Sequence, residues 1–79
     1  MGSKLNPGDF DCYANAEPDE PMFILLARDR SAPSIVEAWA DARERDILAG
    51  IKPRSDMPMV VEARECAAKM TAWRHINRR

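Results

Sequence analysis

The chain has 79 residues, 46% of them hydrophobic and 32% charged, with 12 lysines and arginines against 13 aspartates and glutamates. So short a chain makes at most one domain and buries only about 60% of the surface its unfolded form exposes, which leaves a thin margin for folding alone. Two cysteines are too few for a disulfide framework, one histidine offers no zinc cluster, the balanced charge pulls on neither nucleic acid nor membrane, and no apolar run reaches the ~18 residues of a membrane span.

Self-association is the remaining way to widen that margin, and a homodimer is the simplest form of it. Residues 1–18, MGSKLNPGDFDCYANAEP, show neither a period of two nor one of 3.6, which predicts an irregular arm ahead of a single small helical domain over 19–79. Phe10 and Tyr13, three apart, are placed to pin that arm to a core or a neighbour. Residues 1–20 carry Lys4 against Asp9, Asp11, Glu17, Asp19 and Glu20, whereas 69–79 carry Lys69, Arg74, Arg78 and Arg79. An acidic head can attract a basic tail, within a subunit or between two. Exposed pairs contribute only ~0.2–1 kcal/mol each, so they orient an assembly more than they hold it.

The segment DEPMFILLARD, residues 19–29, admits two readings. Its continuous apolar run from Met22 to Ala27 suits a strand buried on both faces, but no second β-rich stretch is present to accept its hydrogen bonds. A short helix satisfies its own backbone, with Asp19 as N-cap, Glu20 and Pro21 in the first turn, and Met22, Leu25 and Leu26 on one face. The short helix is the preferred reading. The alternative is a single strand over 21–28 that pairs with its copy across a dimer, which would make the fold α+β.

Asp29 or Ser31 then caps an amphipathic helix over about 31–49, with Pro33 early in it and Gly50 where a left-handed terminating residue belongs. Ile35, Val36, Trp39, Ala40 and Ile47 recur at threes and fours on one side; Glu37, Asp41, Glu44 and Arg45 take the other, with Asp41 and Arg45 in the favourable i, i+4 order. GIKPRSD, residues 50–56, is a loop short enough to favour an antiparallel neighbour. Asp56 caps a last helix to about residue 76, with Pro58 in its first turn. On it Met59, Ala63, Cys66, Met70, Trp73 and Ile76 step by threes and fours along one line, while Glu62, Glu65 and Lys69 fall to the side. The fold class is therefore all-α: a short N-terminal helix laid across an antiparallel helical hairpin, with an irregular arm.

The candidate sites are sparse. Ile35, Trp39, Met59, Cys66, Met70 and Trp73 form the stripe expected to serve as core and interface, with both indoles facing protein, in part another copy of the chain. Cys66 reads as a small buried hydrophobe in mid-helix, away from any activating base, and Cys12 lies in the arm with nothing to activate it. His75, in the last turn, lacks an orienting carboxylate within its spacing, and the acids of the arm and of Glu62/Glu65 do not close a coordination sphere. No catalytic set, metal site or cofactor is expected. Arg28 and Arg30 are candidates for an anionic ligand or a partner's carboxylate. Lys69, Arg74 and Arg78 near the helix end are candidates for phosphate contacts beside Trp73, the basis of an alternative reading as a small DNA- or RNA-binding regulator.

EPMFILLARDRSAP, followed by IVEAWA and, near the end, EARECAAKMTAWR, resembles a group of small bacteriophage- and prophage-encoded proteins of unassigned function. The resemblance spans roughly residues 17–74; where a glycine often follows the Leu-Leu pair in that group, this chain has Ala27. It implies a context: phage-encoded accessory proteins of this size are frequently non-enzymatic binders that block or divert host machinery. The expectation is thus a cytoplasmic, non-enzymatic, self-associating protein that binds a host protein or a small anionic ligand.

Overall fold

Two helices, α2 over Ala32–Leu48 and α3 over Met57–Asn77, carry the architecture of the computed structural model, which describes residues 1–77. Pro33 sits in the first turn of α2, where its fixed φ is pre-set and its missing N–H leaves nothing unpaired. At the other end Gly50 adopts φ 78°, the Gly50 N–H donates to the Ile47 carbonyl and the Ile51 N–H to that of Asp46, 2.8 Å away. This is the double closure that a left-handed residue after a helix permits, as the sequence anticipates at Gly50. A single 3₁₀ turn over Arg54–Asp56 leads into α3. Asp56 does not act there as a free cap: its carboxylate pairs with Arg43 of α2, 3.2 Å away. At the start of α2, Ser31 is the N-cap residue but makes no side-chain bond; the Asp29 carboxylate instead accepts from the Ser31 amide at 2.9 Å.

The two helices pack on each other, with ion pairs from Arg43 of α2 to Asp56 of the 3₁₀ turn and from Arg64 of α3 to Glu37, Asp41 and Glu44 of α2. Between them the buried apolar residues are Ala32, Ala40, Ile47, Val60, Ala63 and Ala67. Four of these six are alanine, so the helices approach closely while burying little area, and the stabilisation at ~25 cal/mol per Å² is correspondingly small. Val36, Met57 and Met1 pack on the edge of this cluster.

The line at the centre of the helix pair is thus offset from the expected one. On α3 it runs through Val60, Ala63 and Ala67; Ala63 belongs to the expected line as well, while Val60 and Ala67 stand about 100° around the helix from their neighbours Met59 and Cys66. On α2 it runs through Val36, Ala40 and Ile47, while Ile35 and Trp39 lie on its outer flank, Trp39 38% exposed with the Arg43 guanidinium 5.2 Å above its ring. Glu37, Asp41 and Glu44 do not lie opposite the contact. Glu37 and Glu44 stand three or four residues from Ala40 and Asp41 directly follows it, so they border the contact and share the Arg64 guanidinium at 2.8, 2.9 and 3.2 Å. Asp41 therefore turns to Arg64 and not to Arg45. Its hydrogen bond raises Arg64 further above an already high ordinary pKa; burial opposes this, and the bond from Glu37 adds to it.

The segment expected as a short helix over 19–28 is neither helix nor strand. Glu17–Glu20 closes a turn, with the Glu20 amide on the Glu17 carbonyl and the Glu20 carboxylate on the Glu17 amide, and residues 20–26 then run without turn or bend to a second turn at 27–30. Phe23 and Ile24 are poor helix formers, and a helix this short nucleates badly in any case. A straight run also covers more distance per residue than a helix, carrying the chain from the arm to the start of α2. The only helix ahead of α2 among the described residues is a single turn inside the arm, α1 over Cys12–Asn15, capped by the Asp11 carboxylate on the Tyr13 amide. Tyr13 is exposed and Phe10 half-buried.

Candidate functional site

The arm is tied to α3 by one side chain. Glu62 accepts from the Met1 ammonium at 2.8 Å, the Asp9 amide at 2.7 Å and the Phe10 amide at 3.0 Å, and the same ammonium donates to the Phe10 carbonyl at 2.6 Å. Gly8 lies so close to Met1 and to the Glu62 carboxyl that a Cβ there would overlap both. Burial pushes the Glu62 carboxyl up, but the bonds from the ammonium and the two amides outweigh it, so the group ionises below the usual carboxylate range. A lowered pKa contributes stability that is fully present above the ordinary value and is lost as the pH falls through the lowered one. We expect the Asp9 and Phe10 amide resonances to titrate together on acidification, below the normal carboxylate range. In Glu62→Gln, hydrogen exchange at both amides should rise about tenfold or more, the equivalent of ~1.5–3 kcal/mol for bonds to a charged acceptor, while the amides of α2 and α3 stay protected.

Glu62, Cys66, Lys69, Met70 and Trp73 share one flank of α3, at i, i+4, i+7, i+8 and i+11. Held by Glu62, the arm lies along this flank and, with the segment before α2, encloses a groove of about 480 Å³. Cys66, Met70 and Trp73 line it from α3, Leu25, Leu26 and Ala27 from the segment, and Gly2, Ser3 and Asn6 from the arm. Three cations belong to its lining, one from each of these parts: Lys69, Arg28 and Lys4. The lining includes no carboxylate and no imidazole among the described residues; its polar side chains are a thiol, a hydroxyl, an amide and the three cations.

The structure therefore brings five of the candidate residues together, Arg28, Cys66, Lys69, Met70 and Trp73, but as the wall of a groove and not as the centre of the helix pair. Trp73, 38% exposed, lines this groove beside a free thiol, whereas Trp39 and His75 lie outside it. Ile35 and Met59 are not in the lining, and neither is Arg30, which is exposed. Arg74 is half-buried, its Nε without a hydrogen-bond partner, and Arg78 lies outside the described residues. Cys12 and Cys66 are both free. Lys4, counted in the sequence only as a charge of the head, joins the lining, and Glu62, weighed there only as a metal-ligand candidate, anchors the arm; the i, i+4, i+7 spacing of Glu62, Cys66 and Lys69 sets these three on one flank of α3. Among the described residues no helix is long and apolar enough to cross a membrane. Compared with protein-family models, curated proteins and solved structures, the chain matches none.

Proposed function

We propose that the chain is a non-enzymatic accessory protein of the phage or prophage type, an antiparallel helical hairpin with an appended arm, which self-associates in the cytoplasm and holds a small amphiphilic organic anion in its groove. One observation carries this reading: an apolar floor of Leu25, Leu26, Met70 and Trp73 edged by Lys4, Arg28 and Lys69, with no carboxylate in the lining. An apolar tail buried on that floor gains ~0.8 kcal/mol per methylene, and a single anionic head within reach of three cations is held by charge without having to displace an internal acid. The groove falls within the ~300–1,000 Å³ of small-molecule sites and is small for a folded host protein.

The probe is decanoate, with 1-decanol as its neutral counterpart, and the reporter is Trp73 fluorescence in a Trp39→Phe background. Decanoate should change that fluorescence saturably, decanol should bind more weakly, and joint replacement of Lys4, Arg28 and Lys69 by Gln should weaken decanoate about threefold to a hundredfold, at ~0.2–1 kcal/mol per exposed charge. Equal binding of acid and alcohol, or no saturable response to either, overturns the assignment.

A further inference from the structure

We infer that two copies of the chain pair antiparallel through residues 22–26, about a two-fold axis at Ile24. This deepens, and rests on, the self-association just proposed. Pro21–Leu26 is an uncharged run whose side chains face water to an unusual extent: Phe23 is 82% and Ile24 54% exposed, with Met22 and Leu26 each near half. Among the described residues the backbone groups of Met22, Phe23, Ile24 and Leu25 make no hydrogen bond; the first use of the segment's backbone is the Leu26 carbonyl, which accepts from Asp29. An apolar stretch free of turn and bend, with unused donors and acceptors along it, offers what an open sheet edge offers, and its cheapest complement is a like edge. Pro21, which has no N–H to offer, stands at the first position of the run, where a strand tolerates it.

Charge selects the direction. The acids Glu17, Asp19 and Glu20 precede the run and Arg28 and Arg30 follow it; Glu20 engages the Glu17 amide and Asp29 the Ser31 amide, each through one carboxylate oxygen. Parallel pairing would set acid against acid and base against base. Antiparallel pairing about Ile24 sets Glu20 of each copy opposite Arg28 of the other, twice by symmetry. The surface balance agrees: the chain exposes 6332 Å², where a folded monomer of 8.9 kDa exposes about 4,800 Å². That excess exceeds the ~800 Å² per partner that a standard interface covers.

The test uses the full chain. Sedimentation across micromolar concentrations should give twice the 8.9 kDa mass. Residue 24 lies outside every helix, so Ile24→Pro should leave helical circular dichroism unchanged while weakening association roughly a hundredfold. Glu20→Arg and Arg28→Glu should each weaken it about threefold to tenfold, and the double exchange should restore it. In a Cys12→Ser, Cys66→Ser background, Ile24→Cys should oxidise to a covalent dimer, because directly opposed Cα atoms stand ~4.5–5.5 Å apart, whereas Met22→Cys should not, its copy being several residues away along the partner segment. A dimer that ignores Ile24→Pro and does not cross-link at Ile24→Cys overturns the pairing but leaves self-association standing. Cross-linking at both positions overturns the antiparallel direction. A monomer at every concentration removes both.

Discussion

Ile47→Ala will remove about 2–5 kcal/mol of stability, the usual cost of truncating a buried branched aliphatic. Ile47 is 7% exposed and belongs to the one cluster that joins α2 to α3, together with Ala40, Val60 and Ala63. The deletion is severe here because the rest of that cluster is small. Alanines cannot swing into a void, so the cavity stays open and its lining loses contact on one side. At ~0.05–0.15 kcal/mol per residue a chain of this length has only about 4–12 kcal/mol in all, so this one change takes a large part of it. The control is adjacent: Leu48 is 81% exposed, and Leu48→Ala should move the urea midpoint by no more than the ~0.5 kcal/mol of an ordinary surface change. Equal midpoints for the two variants would mean that the helix pair is not centred where the structure places it.

The opposite error should be nearly as costly. Ala63 is fully buried in the same cluster as Ala40 of α2, also fully buried, so Ala63→Leu adds three carbons where the side chain has no exposed surface to grow into. Overpacking of this kind costs about 1–3 kcal/mol, because the new side chain either leaves its rotamer or forces the helices apart. Forcing them apart also lengthens the neighbouring Arg64 bonds to Glu37, Asp41 and Glu44, which hold only within hydrogen-bonding range. The same substitution at Ala68, exposed on α3, should be close to neutral in urea unfolding. A destabilised Ala63→Leu beside an unaffected Ala68→Leu fixes the rotation of α3 about its axis, the very feature the hydrophobic pattern leaves open.

These two expectations mark the boundary between what was legible in the sequence and what was not. The two long helices and their ends are written locally: Pro33 needs no donor in a first turn, Gly50 takes the left-handed conformation that ends α2, and the Gly and Pro of residues 50–56 interrupt the helical period. Each of those signals acts over a few residues, so no distant contact is needed to read it. On α2 the buried line through Val36, Ala40 and Ile47 lies on the side the pattern marks; the rotation of α3, where only Ala63 of the marked line is buried, was not legible. Both carry an apolar band wider than the line finally buried, and its centre goes to alanine because only small side chains let two helices approach closely. The larger Met59, Cys66, Met70 and Trp73 are thereby left to one flank.

Tertiary structure decided the partners of the polar side chains and shared in the fate of residues 20–26. Phe23 and Ile24 favour a helix only weakly, and in the folded chain PMFILL must bridge the arm and α2, which it does without turn or bend. Glu62 and Arg64, on a face that reads as solvated, find their partners 52 to 61 and 20 to 27 residues away in the chain. Capping and turn formation are fixed by neighbours in sequence. The register of a helix pair, the docking of the arm and the groove that results depend on groups brought together from distant parts of the chain, and only the completed fold supplies them.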